Sequence, residues 1–395
     1  MTASATTDLD LSEPGFLSDP YPQLAALRAT APLVWHEPSS MWWATTHAAA
    51  TAVLRERALG RVWVDREPGE RFEPFNTLHR NQMMENEPPV HTRLRRLVAS
   101  AFARGHVERM RPRVQELAAH LLDAVDPAGF DLVTDYAEPL PVAVIADMLG
   151  VPAADRPLLR GWSQAIVRMY EYERSAELEQ SALDASTDFA AYVRAMVAER
   201  RGRPGDDLLS DLIAAQDDAG QLSEDELVAS VVLLLNAGHE ASVNTFGNGM
   251  HALLRHPDQQ REVAERAVPV EVALEELIRF DAPLQLFERT AMRDVEVAGV
   301  RLAAGQKAAA LLGSANRDGD VFADADRFDV SREPNPNVGF GLGVHFCLGA
   351  PLARMELGVS VAELLRRHPA LHLDGEPQQR PTFVLRGYQH LPVAA

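Results

Sequence analysis

The chain has 395 residues, 46% hydrophobic and 24% charged, so it can bury a large core and does not have the composition of a disordered protein. Acidic residues (57) outnumber Lys and Arg (38), and the formal net charge of −19 would repel nucleic acid phosphates and anionic lipid. The lone lysine, Lys307, lies in no P-loop motif, and the lone cysteine, Cys347, excludes an internal disulfide and a multi-cysteine metal site.

The N-terminal segment 1–22 is polar and acidic and lacks the pattern of a signal peptide. No apolar run reaches the roughly 18 residues that a membrane span needs. We therefore expect a cytoplasmic protein with no nucleic acid or membrane partner. Segment 1–22 is expected to be a partly loose extension of a single domain that spans residues 1–395.

Helical periodicity dominates the chain, and strand signals are short. Helices are predicted over His91–Ala103, Arg113–Val125, Ser175–Arg201, Glu224–Leu254, Val270–Phe280 and Pro351–Arg367. Strands are predicted over Leu33–Trp35, Met41–Ala44, Val295–Val297, Val300–Leu302, Thr382–Leu385 and His390–Val393, as three hairpins. The pattern predicts a mainly α fold with small β-sheets and no repeats.

Cys347 lies in the glycine-rich string FGLGVHFCLG at residues 340–349, directly before a helix that opens at Ala350-Pro351. The positive end of the helix dipole and the free N–H groups at a helix N-terminus stabilise a thiolate. A thiolate in a glycine-lined loop, with no second cysteine, suits an axial ligand of haem iron. The alternative is a cysteine that only fills the core.

The string matches every fixed position of the haem-binding loop of the cytochrome P450 family, FGxGxHxCxG. The chain therefore resembles a soluble bacterial cytochrome P450, a haem-thiolate monooxygenase. The resemblance implies that Cys347 binds the iron of haem b and that Phe340, Gly341 and Gly349 belong to the haem-binding loop. It also implies a triangular single-domain fold, with haem between the long I helix (224–254) and the L helix (351–367).

Two further segments carry the resemblance. Glu276-Leu277-Ile278-Arg279 is similar to the ExxR motif of the family's K helix, where the carboxylate and the guanidinium form a structural pair; Arg332 is a third member. Residues 91–95, HTRLR, resemble the family's C helix. The resemblance assigns the binding of the haem propionates to four residues: His91, Arg95, Arg289 and His345.

Residues 237–242, AGHEAS, resemble the I-helix motif AGxET, but the position of the alcohol holds Ala241. The resemblance assigns oxygen activation to Glu240, Ala241 and Ser242. Ser242 lies about 100° around the helix from Ala241, and Thr245 about 6 Å along the axis. Three readings stay open: ordered water or Ser242 restores proton delivery, a substrate hydroxyl completes it, or the enzyme couples, desaturates or rearranges its substrate without net oxygen insertion.

By the same resemblance, the substrate pocket is lined by the loop around Val62–Met84 and by Leu233, Asn236, Ala237, Leu284, Phe287 and Tyr388. Electrons are expected from NAD(P)H through an external ferredoxin and ferredoxin reductase, and the seven arginines between residues 93 and 113 predict a basic docking face. The other expected partners are O2 and a medium-sized organic molecule, bound by a monomer that tailors a bacterial natural product. Competing classes are a non-catalytic haem-binding protein and a peroxide-driven oxygenator.

Overall fold

The computed structural model of the protein describes residues 5–172, 174–219 and 222–395, and this part of the chain is mainly helical. The α-helices are α1 Pro14–Ser18, α2 Tyr21–Thr30, α3 His47–Arg55, α4 Gly69–Arg80, α5 Val90–Ala99, α6 Arg104–Ala124, α7 Pro139–Met148, α8 Arg156–Val167, α9 Ala176–Gly202, α10 Leu208–Ala219, α11 Glu224–Leu254, α12 Pro257–Ala264, α13 Val270–Phe280, α14 Leu312–Ala315 and α15 Ala350–Arg367. The strands are β1 Thr6–Thr7, β2 Leu33–His36, β3 Met41–Ala44, β4 Leu59–Gly60, β5 Phe130–Asp131, β6 Leu286–Ala291, β7 Val295–Val297, β8 Val300–Leu302, β9 Lys307–Leu311, β10 His372–Leu373, β11 Gln378–Gln379, β12 Tyr388–His390 and β13 Pro392–Ala394.

The strands form four small sheets. The largest has six strands in the order β1-β2-β3-β9-β6-β4, and a three-stranded sheet has the order β10-β13-β5. Strands β7 and β8 form a hairpin, and β11 pairs with β12. In the large sheet β6 runs antiparallel to β9, with Arg289 opposite Ala308.

Helix α11 is the central element of the helical part. It begins with a capping box, because the Ser223 side chain accepts from the N–H of Glu226 and the Glu226 side chain accepts from the N–H of Ser223. The helix packs against α4, α7, α8, α9, α13 and α15. By length and composition it could cross a membrane, but 78% of its most apolar window is buried inside the protein, as expected for a core helix.

The observed helices match the predicted ones closely at α11 and α13, whose bounds coincide with the prediction. The C-helix region differs. Helix α5 ends at Ala99 rather than Ala103, and α6 begins at Arg104 rather than Arg113 and continues through Pro112. Proline removes one backbone donor and usually breaks a helix, so the sequence alone favoured a later start.

Two terminal predictions were wrong. Thr382–Leu385 is no strand: only Leu385 forms an isolated bridge, to Leu284, and β12 pairs with β11 rather than with this segment. Residues 5–22 are packed and not loose, because β1 adds a strand to the large sheet and Phe16 of α1 is fully buried. Residues 1–4 lie outside the described part.

Candidate active site

The loop that carries the lone cysteine is shaped by two glycines in the left-handed region. Gly341 has a φ of 66° and Gly343 a φ of 75°, which residues with a side chain rarely adopt. A Cβ at Gly343 would also collide with the carbonyl oxygen of Leu54. The N–H of Cys347 donates to the carbonyl of Phe340 at 3.0 Å, which closes the loop directly before α15.

Two opposing effects act on the pKa of the Cys347 thiol. Burial raises the pKa of the thiol, while the N–H groups of Gly349 and Ala350 and the cations of Arg95 and Arg354 lower it. The helix N-terminus therefore acts as predicted, but burial outweighs it. A cation bound at the sulfur would favour the thiolate form. Among the described residues, no three His, Cys, Asp or Glu side chains group as a metal site, so a metal here would have fewer than three such protein ligands.

Arg289 is a buried cation without an anionic partner. Its side chain projects from β6, the residue is 3% exposed, and its only hydrogen bond goes to the carbonyl of Glu288 at 2.8 Å. Within the described chain no carboxylate lies within 4 Å of its guanidinium. Burial, with a smaller contribution from Arg61, lowers the pKa of Arg289 to about 9. A bound anion would remove this penalty.

Three more predicted anion-binding residues gather beside the cysteine loop. The rings of His91 and His345 lie 4.5 Å apart, and Arg95 donates to the carbonyl of Phe346 at 2.8 Å. Burial is the main cause that lowers the pKa of His91, to about 4. The structure adds an acid that the sequence analysis missed: Glu87 Oε1 lies 2.7 Å from His345 Nε2.

One face of α11 borders an internal space. Ala237 is exposed and Ala241, one turn later, is half-buried, whereas the flanking Asn236, Glu240 and Ser242 are buried. An exposed alanine in the middle of a core helix requires a void beside it. Small side chains at both positions leave this face open to a bulky group.

Helix α11 continues through this region without a break. The hydroxyl of Thr245 donates to the carbonyl of Ala241 at 2.6 Å, so it is engaged with its own helix and does not replace the missing alcohol. Ser242 points elsewhere, into a cavity of about 10 Å³ between α11, α7 and α15. A cavity of this size holds one water molecule.

The same cavity is lined by Glu356 of α15, a residue that the sequence analysis missed. Neither carboxyl oxygen of Glu356 hydrogen-bonds to a described residue, and burial raises its pKa to about 8. It is therefore a neutral acid at pH 7. The signal was a single acid between Met355 and the stretch Leu357–Ala362, which contains no charged residue.

Glu240 belongs to a buried network of charges. Arg380 donates to Glu240 Oε2 at 2.9 Å and to Glu138 at 3.2 Å, and Arg160 of α8 lies 2.8 Å from Glu138. Burial raises the pKa of Glu240, and Arg380 opposes that rise. The acid is thus linked to the partly exposed side chain of Arg160. Neither arginine could be predicted as a neighbour of Glu240, because both lie far from it along the chain.

The ExxR residues form a fully buried bidentate pair. Arg279 Nε and Nη2 each donate to Glu276 at 2.7 Å, and both side chains have no exposed surface. Nη1 of Arg279 donates to the carbonyls of Asn316 and Ala325, and Arg332 Nε donates to Glu276 at 3.2 Å. Helix α13 is thereby joined to the irregular chain that precedes the cysteine loop.

The predicted pocket residues do not all share one surface. Phe287 is half-buried and lies against Gly341 of the cysteine loop. Leu284, three residues before Phe287, is also half-buried. Leu233 and Asn236 are buried, although Asn236 Oδ1 has no hydrogen bond. Tyr388 was wrongly placed in the pocket: it is 5% exposed, and its hydroxyl lies 2.8 Å from His251 Nδ1, near the C-terminal end of α11.

Ion pairs neutralise part of the arginine-rich face. Arg93 donates to Glu226 at 3.0 Å, Arg111 to Glu108 at 2.8 Å and Arg113 to Asp147 at 2.8 Å. In the described chain, Arg96, Arg104 and Arg109 have no carboxylate within 4 Å. The basic surface is smaller than the sequence predicted.

Comparison with known proteins decides the family. The family model described as Cytochrome P450 matches residues 166–267 and 269–387. The chain belongs to the cytochrome P450 family. It is 39% identical to 6-deoxyerythronolide B hydroxylase of Saccharopolyspora erythraea, covering 98% of this chain and 99% of that protein. It is 36% identical to the cytochrome P450 monooxygenase PikC of Streptomyces venezuelae, covering 99% and 95%.

Solved P450 structures have the same fold. P450BioI in complex with a fatty-acyl-loaded acyl carrier protein superposes with a TM-score of 0.92 at 32% identity, covering 96% of this chain and 99% of that chain. Myxobacterial CYP267B1 with myristic acid gives 0.89 at 37% identity, covering 97% and 98%. The protein is therefore a P450 monooxygenase that uses haem b, O2 and electrons delivered from NAD(P)H by redox partners.

The residues present fit a haem. A single thiol at the end of a glycine-rich loop, a buried arginine without an anion and an open alanine face on α11 match its iron, its carboxylates and its flat ring, respectively.

Proposed function

We propose that Cys347 is the thiolate ligand of the haem iron and that the haem lies between α11 and α15. Phe340, Gly341 and Gly349 line its thiolate side. The proposal rests on one observation: the single thiol lies on a loop whose backbone requires glycine at two positions with positive φ. The test is Cys347→Ser, with Val344→Ser in the same loop as the control: we expect Cys347→Ser to lose the carbon monoxide difference spectrum of a thiolate-bound haem. An unchanged spectrum would contradict the assignment.

His91, Arg95, Arg289 and His345 bind the haem propionates in this proposal. Arg289 and Arg95 supply two positive charges for two carboxylates, and the imidazoles supply hydrogen bonds. Glu87 adds one negative charge beside them, since it contacts His345. Its place in the cluster means that His345 is shared between Glu87 and a propionate.

The bound haem supplies the reduction of O2 and the transfer of one oxygen atom to the substrate, with the other leaving as water. The chain must deliver two protons to that reaction. We assign one route to the one-water cavity that joins Ser242 to Glu356 and a second to Glu240. Ala241 cannot donate a hydrogen bond, so the donor must be water held by these groups or a hydroxyl of the substrate.

The substrate is a medium-sized natural product of a bacterium, which this enzyme hydroxylates. The support is the open alanine face of α11 and the likeness to a 6-deoxyerythronolide B hydroxylase. Other relatives of similar sequence identity are a nocardicin C N-oxygenase and a vitamin D3 25-hydroxylase. Sequence identity alone therefore does not determine which molecule is the substrate. A spin-state titration of the ferric protein with macrolactones, terpenes, aromatic peptides and fatty acids tests the class. Response to fatty acids alone would contradict it.

The redox partner is an acidic ferredoxin, reduced by a ferredoxin reductase in the cytoplasm, and it binds a monomer of the P450. The arginines at positions 96, 104 and 109, which have no carboxylate partner in the described chain, form the docking face. Arg354 near the thiolate, which we had expected to join them, pairs with Glu275. Such an interface weakens as salt screens it. A turnover rate that does not change with ionic strength would contradict this docking mode.

A further inference from the structure

His239, next to Glu240 on α11, is a buried imidazole that makes no hydrogen bond to any described residue. It is 1% exposed, and neither Nδ1 nor Nε2 has a hydrogen-bond partner in the described part of the chain. A neutral imidazole always carries one N–H, and buried donors in folded proteins are nearly always paired. The unpaired N–H of His239 therefore suggests that a neighbouring group accepts its hydrogen bond.

The nearest ionisable atom is also without a partner. Nδ1 of His239 lies 3.5 Å from Oε1 of Glu240, and Oε1 has no hydrogen bond, since Arg380 occupies Oε2. Neighbouring residues on a helix point about 100° apart, so this approach is not imposed by the backbone. A closure of about 0.5 Å brings the two atoms into hydrogen-bond range.

We propose that His239 is a positioning residue for Glu240, whose Nδ1–H donates to Oε1 while Arg380 donates to Oε2. The carboxylate is then held from both oxygens and fixed in one orientation for proton transfer. This inference rests on the proposed role of Glu240 in proton delivery.

The imidazole is suited to this role because it stays neutral. Burial, with Arg380 and Arg160 as smaller causes, lowers the pKa of His239 to about 3. The charged groups that face Glu240 are Arg380 after β11, Glu138 before α7 and Arg160 on α8, and the amide of Gln164 on α8 donates to Glu138 at 3.3 Å. A neutral donor adds a hydrogen bond to this set without adding a charge.

Two amide variants separate the two ring nitrogens. In His239→Asn the amide nitrogen falls near the position of Nδ1, whereas in His239→Gln it falls near Nε2. Both keep a polar side chain of similar volume. If Nδ1–H holds Glu240, Asn replaces it and Gln does not.

The first readout is the infrared band of the protonated Glu240 carboxyl in the full-length ferric protein, identified as the band lost in Glu240→Gln, followed against pH. Loss of a donor to an ionised carboxylate raises its pKa, so we expect the midpoint to rise by about one pH unit, a tenfold change, in His239→Gln. In His239→Asn it should stay near that of the parent protein. Equal midpoints in all three proteins would overturn the proposal.

The second readout is hydrogen peroxide released per NADPH, measured with a surrogate ferredoxin and reductase. Glu240→Gln should raise it; no change there would overturn the role of Glu240 itself. A rise in Glu240→Gln and in His239→Gln, with a return toward the parent value in His239→Asn, supports the proposal. A rise in Glu240→Gln alone would overturn the role of His239 and leave that of Glu240 standing.

Discussion

Ser242 of α11 and Glu356 of α15 line the same cavity, which is large enough for one water molecule, and Glu356 is the one acid among its lining residues. The pair connects the helix that borders the open alanine face to the helix that follows the cysteine loop. A hydroxyl, one water and a neutral carboxylic acid form a chain that can move a proton without separating buried charges.

Glu356→Gln should change the pH dependence of stability. The carboxyl has a pKa of about 8 in the folded protein and an ordinary value of 4.5 when unfolded, so the native state binds more protons between these values. Stability therefore falls as pH rises from 4.5 to about 8, by up to about 5 kcal/mol. Glutamine removes this loss, so the variant should gain stability relative to the parent at alkaline pH. The free energy of unfolding in urea, measured for both proteins below and above pH 8, tests this. The control is Glu262→Gln at an exposed position, whose free energy of unfolding should change with pH as that of the parent protein does.

Ala241→Thr should reduce peroxide leakage. The new hydroxyl would face the open side of α11, where no described side chain donates a hydrogen bond in its place. One added hydrogen bond predicts at least about a threefold drop in peroxide per NADPH. Ala252→Thr adds a hydroxyl elsewhere on the same helix and should leave leakage unchanged. Equal leakage in Ala241→Thr and the parent would mean that the existing relay is already complete.

Arg289→Gln should speed the loss of haem. The buried guanidinium is the one predicted propionate ligand on β6, and its removal would take away the proposed charge-assisted hydrogen bond to a propionate. We expect haem transfer to an excess acceptor protein to accelerate by at least about tenfold. Arg301→Gln, on strand β8 and exposed, is the matched control. Equal rates in the two variants would remove Arg289 from the haem site.

Arg279→Gln should be strongly destabilising. It removes two of the five hydrogen bonds that the buried Glu276 accepts and takes a donor from three backbone carbonyls, a loss of about 3–5 kcal/mol. Arg366→Gln breaks a similar i,i+3 pair with Glu363 on the surface of α15 and should cost under about 1 kcal/mol. Chemical unfolding at equal haem content measures both. Similar losses of unfolding free energy in the two variants would show that burial of the Glu276–Arg279 pair adds nothing to stability.

The sequence predicted the features that are local along the chain. The string FGLGVHFCLG and the pair Glu276–Arg279 each lie within one loop or one helical turn, so their spacing already determines which groups meet. Tyr388 was misplaced because its neighbour His251 is 137 residues away. Glu356 and Arg380 escaped notice for the same reason: their partners come from other elements, and only tertiary packing brings them to Ser242 and Glu240.

The basic side of this enzyme is made of arginine, and the chain's single lysine, Lys307, lies on β9, 3.1 Å from Glu288. Guanidinium groups do not couple to activated carboxylates, whereas lysine amines do. When carbodiimide activates the carboxylates of a ferredoxin, the arginine face therefore offers them no amine, and Lys307 is the one side chain of this protein that can form the amide bond. An amine-directed dye likewise marks only that side chain, apart from the chain's amino terminus. The arginine bias thus gives a protein that can be labelled at one known strand while its arginine-rich face stays chemically untouched.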